Sequence, residues 1–139
     1  MKEIFSYGCI PYKRESFGVL VLMVEHRNGP HWGFPKGKQE EDEEGKVTAL
    51  RELKEETDLE GTIVDSEPIE IVYEYDEGDE RVRKTVRYYL CDVGSGSEAQ
   101  IQIEEITDFQ WLGLDEIIDK ATYSSNKEVA RKVREHFSR

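Results

Sequence analysis

Between Phe17 and Glu25 the chain reads Phe-Gly-Val-Leu-Val-Leu-Met-Val-Glu, so apolar side chains fill both alternating sets of positions. A short run of this kind, bounded by polar residues, predicts a strand buried on both faces, and such a strand belongs in the middle of a sheet. Whatever else the chain forms must cover that sheet above and below.

The remaining pattern supplies the covering layers. Residues 3 to 12 predict another short strand, whereas 27 to 42, with two Pro and three Gly, predict mostly loop. Ile69, Ile71, Tyr73 and Tyr75 alternate, and after Asp76-Glu77-Gly78-Asp79 a second strand-like run extends from Val82 to Val93, which together predict a hairpin. Asp108 to Leu112 reads as a shorter strand. Leu114, Ile117, Ile118 and Ala121 then recur at helical spacing, and a last helix is expected to open on Ser125-Asn126-Lys127-Glu128 as a capping box before Val129, Val133 and Phe137. The expected class is α/β (α+β), a mixed sheet covered by helices. At 139 residues and 37% hydrophobic content the chain is expected to form one domain over residues 1–139.

Charge narrows the functions available. Acidic residues outnumber basic ones 31 to 19, and the net charge of −12 repels polyanions, so binding to duplex nucleic acid is not expected. No stretch reaches the roughly 20 apolar residues of a membrane span, and Met1-Lys2-Glu3-Ile4 lacks the apolar run of a secretory signal, so no membrane association and a cytoplasmic location are expected. Cys9 and Cys91 stand too far apart in sequence to suggest a zinc site and are expected to be core thiols.

From about Glu43 to Thr57 there is no Pro, and Val47, Leu50 and Leu53 recur every three residues, which predicts an amphipathic helix. Its other face would hold Glu52, Glu55 and Glu56 close together, although like charges at such spacings cost about 0.2–0.5 kcal/mol per pair. Taken alone, that face would be a solvated acidic surface. Immediately upstream, however, lies His31-Trp32-Gly33-Phe34-Pro35-Lys36-Gly37-Lys38, whose glycines allow close backbone approach and whose lysines can meet phosphate oxygens. Carboxylates facing a basic loop make physical sense when a hard cation bridges them; magnesium takes oxygen ligands, often from one or two carboxylates together with substrate phosphates.

Gly37, Glu43, Arg51, Glu52, Leu53, Glu55, Glu56 and Leu59 fill the fixed positions of a motif that resembles the signature of the Nudix hydrolases. Asp58 departs from it, standing where the family usually has Gly. The resemblance implies a Nudix-type α/β/α sandwich with a mixed β-sheet and hydrolysis of a nucleotide phosphoanhydride bond. It implies Mg²⁺, with Mn²⁺ as an alternative, at a site formed by Glu52, Glu55, Glu56 and Gly37, with one of the glutamates activating water and Glu52 favoured as base or bridging ligand. It also implies that Arg51 pairs with Glu43 to brace the loop, while Gly37 permits the turn.

Beyond the motif, Trp-Gly-Phe-Pro-Lys-Gly before it, Lys84 to Leu90 after it and Phe109-Gln110-Trp111-Leu112 are similar to the asymmetric diadenosine tetraphosphate hydrolases. That resemblance implies cleavage of diadenosine tetraphosphate to ATP and AMP. His31, Lys36 and Lys84 would contact phosphates, Tyr75 and Tyr123 would clamp a base, and Glu105, or its neighbour Glu104, would add a metal ligand or base. Arg83 and Arg87 alternate with Lys84, so only one of the two sets can face the site. The expected partner is a small-molecule nucleotide, bound by a monomer. Two alternatives stay open: pyrophosphate removal from the 5′ end of RNA or from another nucleoside diphosphate derivative, and a non-catalytic nucleotide-binding module.

Overall fold

The computed structural model describes residues 1–29 and 31–138. Its spine is β1 (Lys2–Glu15), which pairs in parallel with β7 (Glu80–Asp92) from Lys2↔Val82 to Tyr12↔Asp92. On its other side β1 has two antiparallel partners in succession. Tyr12 to Glu15 pair with the start of β2 (Gly18–His26), while Ser6 to Gly8 pair with the short strand β4 (Lys36–Lys38). The far end of β2 pairs instead with β3 (His31–Gly33). The strands β1 and β2 therefore diverge beyond Tyr12 and Val21, and the β3–β4 segment fills the fork between them.

A two-residue strand, β5 (Thr62–Ile63), pairs with the end of β7. The hairpin partner of β7 is β6 (Ile69–Glu77), in register from Ile69↔Tyr88 to Glu77↔Glu80, so Gly78 and Asp79 make the turn. Gly78 takes φ 63°, the left-handed conformation that glycine adopts without a Cβ clash. β8 (Ile106–Leu112) completes the mixed sheet against β2.

The strand read from the continuous apolar run is buried on both faces: Val21, Leu22, Met23 and Val24 are fully inaccessible. Leu22 and Val24 join Cys9 and Cys91 under α1 (Gly45–Thr57), packed on Ala49 and Leu53. Val21 and Met23 face the other way with Ile10, Tyr88 and Leu90, beneath Ile117 of α2 (Glu116–Lys120) and Val129 and Val133 of α3 (Ser124–Phe137). This is the α/β/α sandwich with a mixed sheet that the sequence predicts.

Three details differ from expectation. The loop at 27–42 contains β3 and β4, strands of three residues each and too short to show periodicity. The buried stripe of α1 is Thr48, Ala49, Leu53, Glu56 and Thr57, while Val47 is half exposed. A three-residue step of 300° precesses around a helix, so Val47, Leu50 and Leu53 do not stay on one face, and the true stripe takes in a glutamate. Finally, no capping box forms on α3: Tyr123 is the N-cap, in extended conformation, and Ser125 already lies inside the helix.

Helix α1 ends at Asp58, which takes φ 60° and ψ 16° and donates its N–H to Lys54 O at 2.9 Å. Asp thus fills the left-handed C-cap that the family usually gives to Gly, helped by an ion pair to Lys54 at 2.8 Å.

Candidate active site

The fork places three carboxylates together. Glu52 and Glu56 lie one turn apart on the face of α1 that meets β4, and Glu105 comes from the segment before β8, so that one oxygen from each lies within 4.8 Å of the others. Glu105 is held there by its backbone, whose O accepts from Arg27 N at 2.9 Å and whose N donates to Gln102 O at 3.1 Å. Glu104, the competing assignment, is absent from this group among the described residues.

Glu56 is 2% exposed, and its Oε1 has no hydrogen-bond partner among the described residues. Burial, then the neighbouring carboxylates of Glu52 and Glu105, pushes its pKa up to about 9. Burial also raises the pKa of Glu52, against the opposing pull of Arg51. A buried carboxylate with an unmatched oxygen, next to two more, is an all-oxygen donor set that fits a hard divalent cation.

Arg51 organises the rim. Its Nε and Nη2 donate to the two carboxylate oxygens of Glu43 at 2.7 and 3.1 Å, and Nη2 also donates to Lys38 O at 3.1 Å. This fork ties the loop to the helix, and the Arg51 guanidinium holds the Glu43 pKa down at about 2. Nη1 donates to Glu52 Oε1 at 3.0 Å and to Glu55 Oε2 at 3.1 Å, which fixes the direction of Glu52. Glu55 itself stays outside the three-carboxylate group, half exposed, and lines a shallow depression with Gln102, Glu104 and Glu105.

Gly37 does not make the turn expected of it. It sits in β4, opposite Tyr7 of β1, and not at a positive-φ turn. A Cβ at this position would overlap the Glu52 carboxylate. Glycine is needed because the helix carboxylate rests against the strand backbone. Gly37→Ala should therefore displace Glu52 and lower kcat/KM about 100-fold, as a misplacement of about 1 Å can do, while leaving the far-ultraviolet circular dichroism unchanged; activity within twofold of the parent would contradict this packing.

Beside the carboxylates opens a cleft of about 620 Å³ lined by His26, His31, Lys36, Glu56, Tyr73, Lys84, Glu105, Tyr123 and Asn126, among others. Lys84 is brought down to a pKa of about 8 by burial and by the charges of Lys36 and Lys38, and burial also lowers Lys36. In a chain of net charge −12, two lysines crowded at one cleft make a local site for anionic oxygens. Arg83 and Arg87 take the opposite face, where Arg87 pairs with Glu70 at 2.7 Å and Arg83 with Glu74 at 3.5 Å.

At the mouth, the His31 ring stacks on His26 and on Tyr123, each with centroids 4.8 Å apart. His31 Nδ1 donates to Gly29 O at 2.7 Å. His26 donates to Phe34 O at 3.3 Å, and burial, followed by the charges of Lys36 and His31, depresses its pKa to about 3, so it stays neutral. Of the alternating tyrosines, Tyr73 lines the cleft, whereas Tyr75 lies one step further along the strand with its ring 6.2 Å from that of Tyr73. Alternation puts both on one face and cannot say how far along the strand the cleft extends. His26, Tyr73 and Asn126 were not singled out as site residues by sequence. Tyr73 carried a signal in that alternation, while His26 ends a strand whose interest lay in its apolar core.

Residues 4–133 match the NUDIX domain family. The chain is 33% identical over 131 residues to the asymmetrical bis(5′-nucleosyl)-tetraphosphatase of Sus scrofa, covering 91% of this chain and 85% of that protein. It is 30% identical over 111 residues to the mutator protein MutT4 of Mycobacterium tuberculosis, covering 80% of this chain but spanning only 44% of that protein. A crystal structure of a C. elegans Ap4A hydrolase in a binary complex shares the fold, with a TM-score of 0.82 and 22% identity over 97% of this chain and 98% of that one. The chain belongs to the Nudix hydrolase family. As a Nudix pyrophosphohydrolase it hydrolyses nucleotide pyrophosphate linkages, and within the family it resembles the asymmetrical tetraphosphatases.

Proposed function

We propose that this enzyme hydrolyses diadenosine tetraphosphate to ATP and AMP with Mg²⁺ at Glu52, Glu56 and Glu105. The observation that carries the proposal is the meeting, in one cleft, of that carboxylate group with Lys36, Lys84 and the ring of Tyr123. Similarity to the Sus scrofa tetraphosphatase over most of both chains supports the same substrate class.

Each residue then has a task. Lys36 and Lys84 receive phosphate oxygens, and their crowding is relieved when anionic charge enters between them. His31, with its Nδ1–H committed to Gly29 O and its ring stacked on His26 and Tyr123, presents its other nitrogen. Tyr123, half exposed and stacked on His31, offers a flat surface to a base, with Tyr73 of β6 as the aromatic wall in the same cleft and Tyr75 one step beyond it. Glu52, aimed by Arg51, takes the proton of the attacking water, and Glu105 and Glu55 complete the acidic rim. When bound, a divalent ion would supply charge neutralisation at the phosphates and a lowered pKa for that water.

Processing of RNA 5′ ends fits the surface less well, because an RNA-end enzyme needs an extended cationic path. Here Arg81, Arg83 and Arg87 are each paired across the β6–β7 hairpin with Glu74, Asp76 or Glu70. A non-catalytic binding module would not require the acidic group at all. Single-domain, monomeric and cytoplasmic action belongs to the same proposal; both core clusters pack on one sheet, and no described helix is long and apolar enough to cross a membrane. The test compares Mg²⁺-dependent turnover of diadenosine tetraphosphate with that of a 5′-triphosphorylated oligonucleotide at equal concentration. The dinucleotide should be preferred, and preference for the oligonucleotide would refute the assignment.

A further inference from the structure

Asn126, in the first turn of α3, is 6% exposed and lines the cleft next to Tyr123. A carboxamide carries two N–H donors and an acceptor oxygen, and buried groups of this kind are almost always hydrogen-bonded. Among the described residues, the Asn126 side chain makes no hydrogen bond. It does not cap the helix, which begins before it with Tyr123 as N-cap. Gly33 leaves room for it: a Cβ on Gly33 would come within 2.8 Å of Asn126 Nδ2. Helix α3 is anchored around it by Val129 and Ala130, both fully buried, and by Lys127 Nζ, which donates to Ile118 O at 2.8 Å. The chain thus holds an unpartnered amide in a fixed place at the cleft.

What the amide would meet follows from its own chemistry and its neighbours. A phosphate offers acceptors only, so it could satisfy Nδ2 but would leave Oδ1 desolvated and unpaired. Phosphates in this cleft already have Lys36 and Lys84. Tyr73, Ile71, Val86 and Tyr123 instead give the cleft an apolar and aromatic wall suited to a ring. A heterocycle edge that sets one donor beside one acceptor satisfies both halves of the carboxamide, and adenine does so with its N6 amino group and N7.

We propose that Asn126 is the specificity-determining residue of this cleft, pairing through Oδ1 and Nδ2 with the edge of an adenine whose face lies against the aromatic wall. The inference rests on the nucleotide reading of the cleft given above. Stacking alone is tolerant of base identity, so discrimination has to come from such a pair, and one good bidentate contact discriminates about 10- to 100-fold.

Calorimetric binding of AMP and GMP to the full chain tests this without relying on turnover, alongside kcat/KM for diadenosine and diguanosine tetraphosphates. The parent protein should prefer adenine at least tenfold. Asn126→Leu, of similar volume, should bring the two bases within about twofold, and Asn126→Asp, which can only accept, should also lose the adenine preference and provides a second variant if the first does not fold. An adenine preference that is absent from the parent, or that survives in either folded variant, would overturn the proposal. If the preference for AMP depends on Asn126 but no dinucleoside polyphosphate is cleaved, the base assignment stands and the proposed reaction falls.

Discussion

Glu56→Gln should lower kcat about 1000-fold while the protein stays folded. The substitution keeps the shape of the side chain and removes one negative charge from the group formed with Glu52 and Glu105. Glu56 is 2% exposed and lines the cleft beside Glu52 and Glu105, so the substitution acts inside the carboxylate group and not at the surface. Charge neutralisation by a divalent ion at a phosphoryl centre is worth several kcal/mol, and each ~1.4 kcal/mol is tenfold in rate. Measuring kcat across a Mg²⁺ titration separates a weakened site, which excess metal restores in part, from a lost base, which it does not. A variant with parental kcat at the parent's Mg²⁺ concentration would show that Glu56 holds no metal.

Without divalent metal, the folded protein should lose stability as pH rises from about 5 to about 9. In the unfolded chain Glu56 has an ordinary carboxyl pKa near 4.5, whereas in the fold it is pushed up to about 9 by burial and by Glu52 and Glu105. Between those values the folded state keeps a proton that the unfolded chain has released. The stability from this group is therefore fully present below about 4.5 and drains away as pH climbs through about 9, to a total of several kcal/mol. Glu52, also raised by burial, contributes in the same direction. Magnesium should reverse the trend, because it replaces the proton and binds better as the carboxylates ionise. Thermal unfolding at pH 5, 7 and 9, in chelator and in Mg²⁺, reads both effects, and Glu56→Gln should flatten the chelated profile. A metal-free melting temperature that does not fall between pH 5 and 9 would mean that Glu56 is not held as a desolvated acid.

The parts of the structure visible in sequence were those with enough residues to express a period. The run from Phe17 to Glu25 announced a strand buried on both faces, and the alternation at Ile69 to Tyr75 announced the hairpin; both are there. Strands of three residues at His31–Gly33 and Lys36–Lys38 carry no period, yet they fill the fork and bring Lys36 and Gly37 to the site. Polar residues that pack like core residues were the harder class. The motif marks Glu56 as a metal ligand, but nothing local in the sequence distinguishes it, at 2% exposure, from the half-exposed Glu55 beside it. Asn126 reads in sequence as part of a capping box, since a Ser and a Glu at the right spacing mimic a helix start that lies two residues earlier, with Tyr123 as N-cap. Glu105 depended on resemblance, because its closeness to Glu52 and Glu56 arises from a loop docked across α1, where Gln102 N donates to Glu56 O at 3.1 Å.

Hydrolysis of diadenosine tetraphosphate in ¹⁸O-labelled water, with products weighed by mass spectrometry, ties the carboxylate group to the proposed reaction. ATP and AMP should form in equal amounts, one of them carrying a single ¹⁸O, and both should vanish on chelation and in Glu56→Gln. Two molecules of ADP, or undiminished turnover after chelation, would contradict asymmetric, metal-dependent cleavage at Glu52, Glu56 and Glu105.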